Sequence, residues 1–395
     1  MNRQATVHPT DSSRTGLATA ALPDSDLTDV VAAAVGRPVR VLDWAATELP
    51  VSSGAISTES VTRVHGTATD GAGRLRWSVL VKVLRSARHW PGISMVPPPF
   101  RQRLIDDYRW QREADVLTSE LPSIMPTGMR TPTVYRCDDL GDDRLAVWME
   151  WVDVVGTPWD GARFRRAARL LGQLAARRAI GSDTAKLRVE TAPAEQLSGL
   201  RELYAGPLAM RYLPMLRDHA LCSILRPYAS AQLRENLDQL SEQIPAMLDR
   251  LAALPQAVGH GDACPQNLLI PAEAPDTVVA IDLSWQHPEA IGFDLGQLMI
   301  GLAHTGDLAA DELPALHDDL LAAFVDGLRT ERCDVDIDDV RYGFDASMVI
   351  RSAFTSLPWD QLHDQPDPEF VAHLVQRVAL TGYLAGLGLA LPRGT

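Results

Sequence analysis

Between His260 and Asp294 the sequence gathers carboxylates, an amide and an imidazole at spacings that suit phosphoryl transfer. It reads His260-Gly261-Asp262-Ala263-Cys264-Pro265-Gln266-Asn267-Leu268-Leu269, then Ala280-Ile281-Asp282-Leu283, then Gly292-Phe293-Asp294-Leu295-Gly296. Moving a phosphoryl group demands little covalent chemistry of a protein. It needs a carboxylate to orient the attacking hydroxyl and take its proton, oxygen ligands for Mg2+, and a cation on the phosphates. The His-x-Asp-x-x-x-x-Asn loop supplies the carboxylate and one amide ligand together, and Pro265 helps to fix the loop by setting φ.

The elements around the loop must bring the second acid to it. Asn267 starts one expected strand and Asp282 ends its partner, with a turn near Pro271–Asp276. The two ends of a hairpin lie side by side, so both residues can reach one hard cation through oxygen.

Upstream, the pattern predicts a helix from Asp24 to Val35, strands over Val39–Trp44, Ser60–Gly66 and Leu75–Leu84, and a hairpin turn at Asp70-Gly71-Ala72-Gly73. Pro91–Phe100 reads as a loop, about 104–121 as a helix, and Thr133–Cys137 and Arg144–Trp151 as two further strands. From Gly156 the chain reads as helical, over Ala162–Ile180, from Pro193 to Leu254 with breaks at Pro207, Pro214 and Pro227, and from Asp294 to Leu391. The expected organisation is a mobile tail over 1–23, a β-rich domain over 24–152 and a mainly helical domain over 153–395.

Length and composition narrow the class. The chain has 395 residues, enough for two domains, with 46% hydrophobic and 22% charged residues. The formal net charge of −14 argues against a nucleic acid or an anionic membrane as the main partner. Gln376 and Arg377 interrupt the most apolar stretch, His373–Leu391, which reads as an amphipathic or buried helix. Cys137, Cys222, Cys264 and Cys333 are far apart with no metal spacing, so a reduced, cytoplasmic chain is expected. Lys82 and Lys186 are the only lysines; each reads either as chance survival in an arginine-rich chain or as a site where a compact ammonium is required.

His260-Gly261-Asp262-x-x-Pro265-x-Asn267-Leu268-Leu269, followed by Ile281-Asp282 and Phe293-Asp294-Leu295-Gly296, resembles the aminoglycoside phosphotransferase family. That family has choline-, homoserine- and sugar-kinase-like members. The resemblance spans roughly residues 45–300 and implies an α+β, two-lobed, protein-kinase-like fold with a small β-rich N-lobe and a larger helical C-lobe. It implies Asp262 as catalytic base, Asn267 and Asp282 as Mg2+ ligands, and His260 and Asp294 as supports of the loop. Lys82 falls where the family's phosphate-binding lysine belongs, and Glu113 where its ion-pair partner belongs. Met149, Glu150 and Val152 fall at the hinge, where the backbone of Glu150 and Val152 would meet adenine. No Gly-x-Gly-x-x-Gly is present; Ser57, within Ser52–Thr58, stands in a hydroxyl-bearing phosphate loop instead. The implied cofactors are ATP (or GTP) and Mg2+, and the implied partner is a small hydroxylated acceptor.

The catalytic loop carries Ala263-Cys264 where the antibiotic kinases of the family usually have Leu-His, and Trp285 follows the metal motif closely. The expected acceptor is a sugar, an aminosugar or an aminoglycoside-type antibiotic. A metabolic kinase for an amino alcohol and a nucleotide-binding pseudokinase are the alternatives. A metal-dependent hydrolase built on His260, Asp262 and Asp282 would leave Lys82 and Asn267 without a role. Trp148, Trp151 and Trp359 are expected in the core, and Trp285 is the aromatic best placed for an acceptor. Asp360, Asp364, Asp367 and Glu369 read as a solvated acidic face, and Asp334–Asp339 as a helix N-terminus.

Overall fold

A computed structural model describes residues 24–52, 54–156, 158–187, 199–218, 223–362 and 367–392. The tail expectation for 1–23, and the residues Cys222 and Asp364, lie outside them. The described residues up to Thr118, with Pro132–Val152, form one unit; Ser119–Thr131 and the described residues from Asp153 onward form the other.

The first unit begins with helix α1 (Asp24–Val35) and strands β1 (Arg40–Leu49), β2 (Thr58–Thr69) and β3 (Arg74–Arg85). Helices α2 (Pro98–Asp107) and α3 (Arg112–Leu117) follow. The chain then contributes α4 (Leu121–Ile124) and β4 (Met129–Arg130) to the second unit and returns as β5 (Val134–Gly141) and β6 (Arg144–Glu150). The five strands pair antiparallel in the order β1-β2-β3-β6-β5. At the β2–β3 turn the Asp70 carboxylate accepts the N–H groups of Ala72 and Gly73 at 2.9 and 3.0 Å. This local capture is what favours Asp at a turn. Alternation puts Val79, Val81 and Val83 on one face of β3, where they pack with Val64, Trp148 and the Leu27, Val30 and Val31 of α1.

The single helix expected over about 104–121 is two helices. Tyr108 takes extended backbone and closes α2, and α3 starts four residues later at Arg112. Asp106 and Asp107 sit in the last turn of α2, where carboxylates oppose the helix dipole.

The second unit is mainly helical. It holds α5 (Gly161–Arg177), α6 (Gly199–Leu203), a π-type helix at Tyr204–Tyr212 that contains Pro207, α7 (Leu213–Arg217) and α8 (Ala231–Ala253). After four short strands come α9 (Phe293–Thr305), α10 (Leu313–Thr330), α11 (Ile337–Ser352) and α12 (Pro368–Ala390). Asp160 caps α5 by accepting the Arg163 N–H at 2.9 Å, and α5 then lies against α10. A Cβ at Gly172 would fall 2.2 Å from the Phe324 carbonyl oxygen, so glycine there is what allows the close approach.

The short strands are β7 (Gln256–Val258), β8 (Leu268–Leu269), β9 (Val278–Ala280) and β10 (Pro288–Ala290). The expected hairpin is β8–β9; β4 joins β9 in parallel, and β7 pairs antiparallel with β10. β4, β7 and β10 have two or three residues each, too few for a period-two pattern to register.

By length and composition alone, α12 is long and apolar enough to cross a membrane. Its Leu374, Leu380 and Leu384 are nonetheless buried, and its Arg377 guanidinium donates to the carbonyls of Ser356 and His304.

Candidate active site

β7 leads the chain into His260, and α9 supplies the residue that holds the next turn. Asp294, in the first turn of α9, accepts the backbone N–H groups of His260 and Gly261 at 2.7 and 2.8 Å. Both carboxylate oxygens are used, and the side chain is buried. The His260 ring is fully buried and accepts the Asp262 N–H on Nδ1 at 3.2 Å. A neutral ring that accepts on Nδ1 carries its proton on Nε2. His260 thus shapes the loop from inside. Gly261 has φ +88°, and a Cβ there would meet the Trp285 carbonyl oxygen at 2.2 Å. Only glycine fits both the left-handed backbone and the contact.

Asp262 is held at both oxygens. Arg351, from the last turn of α11, donates to Oδ1 at 2.7 Å, and the Asn267 side-chain amide donates to Oδ2 at 3.1 Å. The same Asn267 nitrogen reaches the Asp262 carbonyl at 2.9 Å. The Asp262 side chain keeps 26% of its surface exposed, so the carboxylate is oriented and still reachable. An ionised carboxylate has about four acceptor positions, and these two donors leave room for a hydroxyl. Cys264 is different: burial, reinforced by the Asp262 charge, pushes its thiol up to about 12. It stays protonated near neutrality and is no nucleophile.

The β8–β9 pairing sets Asn267 beside Asp282. Leu268 is opposite Ala280, and the Ile281 N–H donates to the Asn267 carbonyl at 3.0 Å. Asp282 then takes left-handed backbone, φ 57° and ψ 56°, and its Oδ1 accepts from Ser284 Oγ at 3.3 Å. Aspartate tolerates this region better than most residues, yet the conformation carries a cost, and such costs concentrate at working sites. Because the Asn267 nitrogen is spent on Asp262, its amide oxygen is the atom available as a ligand. Among the described residues no group of three or more His, Cys, Asp or Glu clusters to hold a metal by itself. One carboxylate and one amide oxygen fit Mg2+, which keeps several waters and commonly completes its shell with substrate phosphates.

In the first unit, Lys82 on β3 pairs with Glu113 on α3 at 2.5 Å, with only 12% and 5% of the two side chains exposed. The other lysine, Lys186, lies half-exposed against Glu331 at 3.1 Å. Ser57 is buried at the entry to β2, and its carbonyl accepts the Arg85 N–H at 2.8 Å. The Arg85 guanidinium donates to the carbonyls of Ala55 and Ile56, both at 3.2 Å, which ties the preceding loop to the end of β3. Met149 is buried on β6, and Val152 is buried just beyond it. The Glu150 N–H donates to the Thr133 carbonyl at 2.9 Å, and its carboxylate accepts the Thr133 N–H at 3.1 Å.

Arg351 is the residue sequence reasoning missed. It lies 89 positions from Asp262, and nothing in its surroundings forms a motif. Trp285 meets it: the Arg351 guanidinium lies 4.6 Å from the Trp285 ring centroid. Trp148 and Trp359 are core residues, each with its indole N–H satisfied, by Asp138 and by the Phe354 carbonyl. The Arg63 guanidinium lies 4.4 Å from the Trp151 ring. Asp336 and Asp367 cap α11 and α12.

No protein-family model matches the sequence, and comparison with curated proteins finds no match. Solved structures do match. An aminoglycoside phosphotransferase from Alicyclobacillus acidocaldarius is 15% identical, over 86% of this chain and 91% of that one, with a TM-score of 0.43. An aminoglycoside phosphotransferase from Streptomyces rimosus, in complex with ADP and streptomycin, is 17% identical over 76% and 92%, with a TM-score of 0.40. Choline kinase from Cryptosporidium parvum is 10% identical over 87% and 88%, with a TM-score of 0.44.

Proposed function

We propose that the protein transfers the γ-phosphoryl group of ATP or GTP to a hydroxyl of a small molecule, of the sugar, aminosugar or aminoglycoside-type antibiotic class. The observation that carries this reading is the Asp262 carboxylate, held at both oxygens, partly exposed, and one hairpin away from Asp282.

Asp262 orients the acceptor hydroxyl and takes its proton as the oxygen attacks the γ-phosphorus. The bond from that phosphorus to the β–γ bridging oxygen breaks, and the nucleoside diphosphate leaves with the electron pair. Lys82, kept in place by Glu113, carries the positive charge that holds the phosphates. Ser57 and the loop before it contribute hydroxyl and backbone donors to the same group. Met149, Glu150 and Val152 form the adenine edge, where backbone groups of Glu150 and Val152 would meet the base. Asn267 and Asp282 are the residues that would hold Mg2+, which neutralises charge on the transferring group when bound. His260 and Asp294 move no proton; they keep the loop in shape.

The test is Mg-ATP consumption by the purified chain across aminoglycosides, other hydroxylated antibiotics, sugars, aminosugars and amino alcohols. Mass spectrometry reads the added phosphate, with Asp262→Asn as control. A phosphorylated product that disappears in the control supports the reading and identifies the acceptor class. Turnover that survives in the control removes Asp262 from its role.

A further inference from the structure

A carboxylate base must present one oxygen along one direction, but the terminal torsion of an Asp side chain is broad. In this loop the local contacts restrain only half of the group. Asn267, five residues on, holds Oδ2 at 3.1 Å. The other oxygen is held from a distant part of the second unit, by a side chain with an unusual set of contacts.

Arg351 leaves the last turn of α11, where the helix dipole favours a cation. Its guanidinium forks across two successive residues of the catalytic loop. One nitrogen donates to the Gly261 carbonyl at 2.6 Å, and another to Asp262 Oδ1 at 2.7 Å. The guanidinium's central carbon lies over the Trp285 ring, 4.6 Å from the centroid, and over the Phe293 ring at 5.7 Å. Its side chain is only 14% exposed. A rigid fork, set over an aromatic ring, with one tine on the backbone and one on the carboxylate, fixes direction as well as charge. Trp285 also closes on the loop from its own backbone, since its carbonyl abuts Gly261.

We infer that Arg351 is a positioning residue for the phosphoryl-transfer reaction, which holds the Asp262 carboxylate at Oδ1 so that the acceptor hydroxyl meets a fixed base. The inference rests on the reading of Asp262 given above. Arg351 acts through Asp262, so its loss lowers turnover and leaves nucleotide affinity alone. Lysine keeps the charge but cannot fork between Gly261 and Asp262 or lie over Trp285 in the same way.

The test uses the full chain with Mg-ATP and water as the acceptor, read as inorganic phosphate release, and repeats it with any acceptor the panel identifies. Wild type, Arg351→Gln, Arg351→Lys, Asp262→Asn and the Arg351→Gln/Asp262→Asn double variant are compared. Melting temperature and calorimetric Mg-ATP affinity are measured for each. A misplaced catalytic group costs on the order of 10²-fold in rate. Arg351→Gln is expected to lose that much turnover with nucleotide affinity within about twofold, Arg351→Lys to recover part of it, and the double variant to be no slower than Asp262→Asn. Wild-type turnover in a folded Arg351→Gln would overturn the inference, as would rate losses that multiply in the double variant. Full activity in Asp262→Asn would sink the reading of the base instead. A wild type that releases no phosphate and modifies no acceptor would sink both.

Discussion

Asn267 donates its side-chain amide to Asp262 twice, to the backbone carbonyl at 2.9 Å and to carboxylate Oδ2 at 3.1 Å. One side chain thereby closes the loop with its nitrogen and keeps its oxygen as an acceptor. Asn267→Asp keeps the size and the oxygen but loses the donor. It would set two carboxylates side by side and leave Asp262 Oδ2 without its donor. The expected result is a loss of turnover of at least about 10-fold, with a loss of about 1–3 kcal/mol in stability for the broken charge-assisted bonds. Steady-state rates and denaturant unfolding check the two parts separately.

The Lys82–Glu113 pair is buried, and buried pairs respond asymmetrically to mutation. Removing one partner leaves an uncompensated charge, at a cost of about 3–5 kcal/mol, whereas replacing both with apolar residues is often neutral. Glu113→Ala is expected to destabilise the chain, because Lys82 loses the carboxylate that pairs with it. Lys82→Met with Glu113→Leu is expected to regain most of the stability while Mg-ATP binding falls. Unfolding midpoints and calorimetric titration with Mg-ATP distinguish the two effects.

Asp294 accepts two backbone N–H groups with two oxygens. Asn can accept with only one, and its amide nitrogen would face a second donor. Asp294→Asn is expected to cost about 1–3 kcal/mol, the penalty of one unsatisfied buried donor. Turnover should fall too, because the His260-Gly261 turn carries Asp262. Unfolding curves and phosphate release measure both.

A partly buried histidine and a buried one give opposite pH dependences. Burial, with the Arg377, Arg351 and His373 charges adding to it, holds the His304 ring down at about 3, from an ordinary 6.5. Between those values the unfolded chain binds a proton that the folded ring refuses. Stability is therefore lost as pH falls from 6.5 toward 3. Burial also opposes the charge on His317, but the hydrogen bond and charge of Asp345, helped by Asp318, raise its pKa above 6.5. Its contribution is complete below 6.5 and is lost as pH rises through the raised folded value. Denaturant unfolding across pH should show the acid-side slope shrink in His304→Asn and the alkaline-side slope shrink in His317→Asn.

Much of this arrangement was legible in the sequence because it is local. Asp262 and Asn267 share one loop, and the β8–β9 hairpin that brings Asp282 to them is bounded by turn residues. The strands around Lys82 alternate cleanly, so the small antiparallel sheet could be laid out from residue pattern alone. What stayed hidden depends on contacts distant in the chain. The break between α2 and α3 lies at Tyr108, whose residue type does not demand it. β4 pairs with β9 across about 150 residues, and two-residue strands have no pattern to detect. Arg351 is one arginine among many in an arginine-rich chain. Its partnership with Asp262 arises only when α11 is packed against the loop.

The most direct measurement is Mg-ATP turnover by Asp262→Asn beside its nucleotide affinity. General-base catalysis contributes about 10²–10⁴-fold. The expected result is a fall in kcat of that size, with Mg-ATP bound as tightly as by the wild type. An Asp262→Asn variant that keeps wild-type kcat would contradict it.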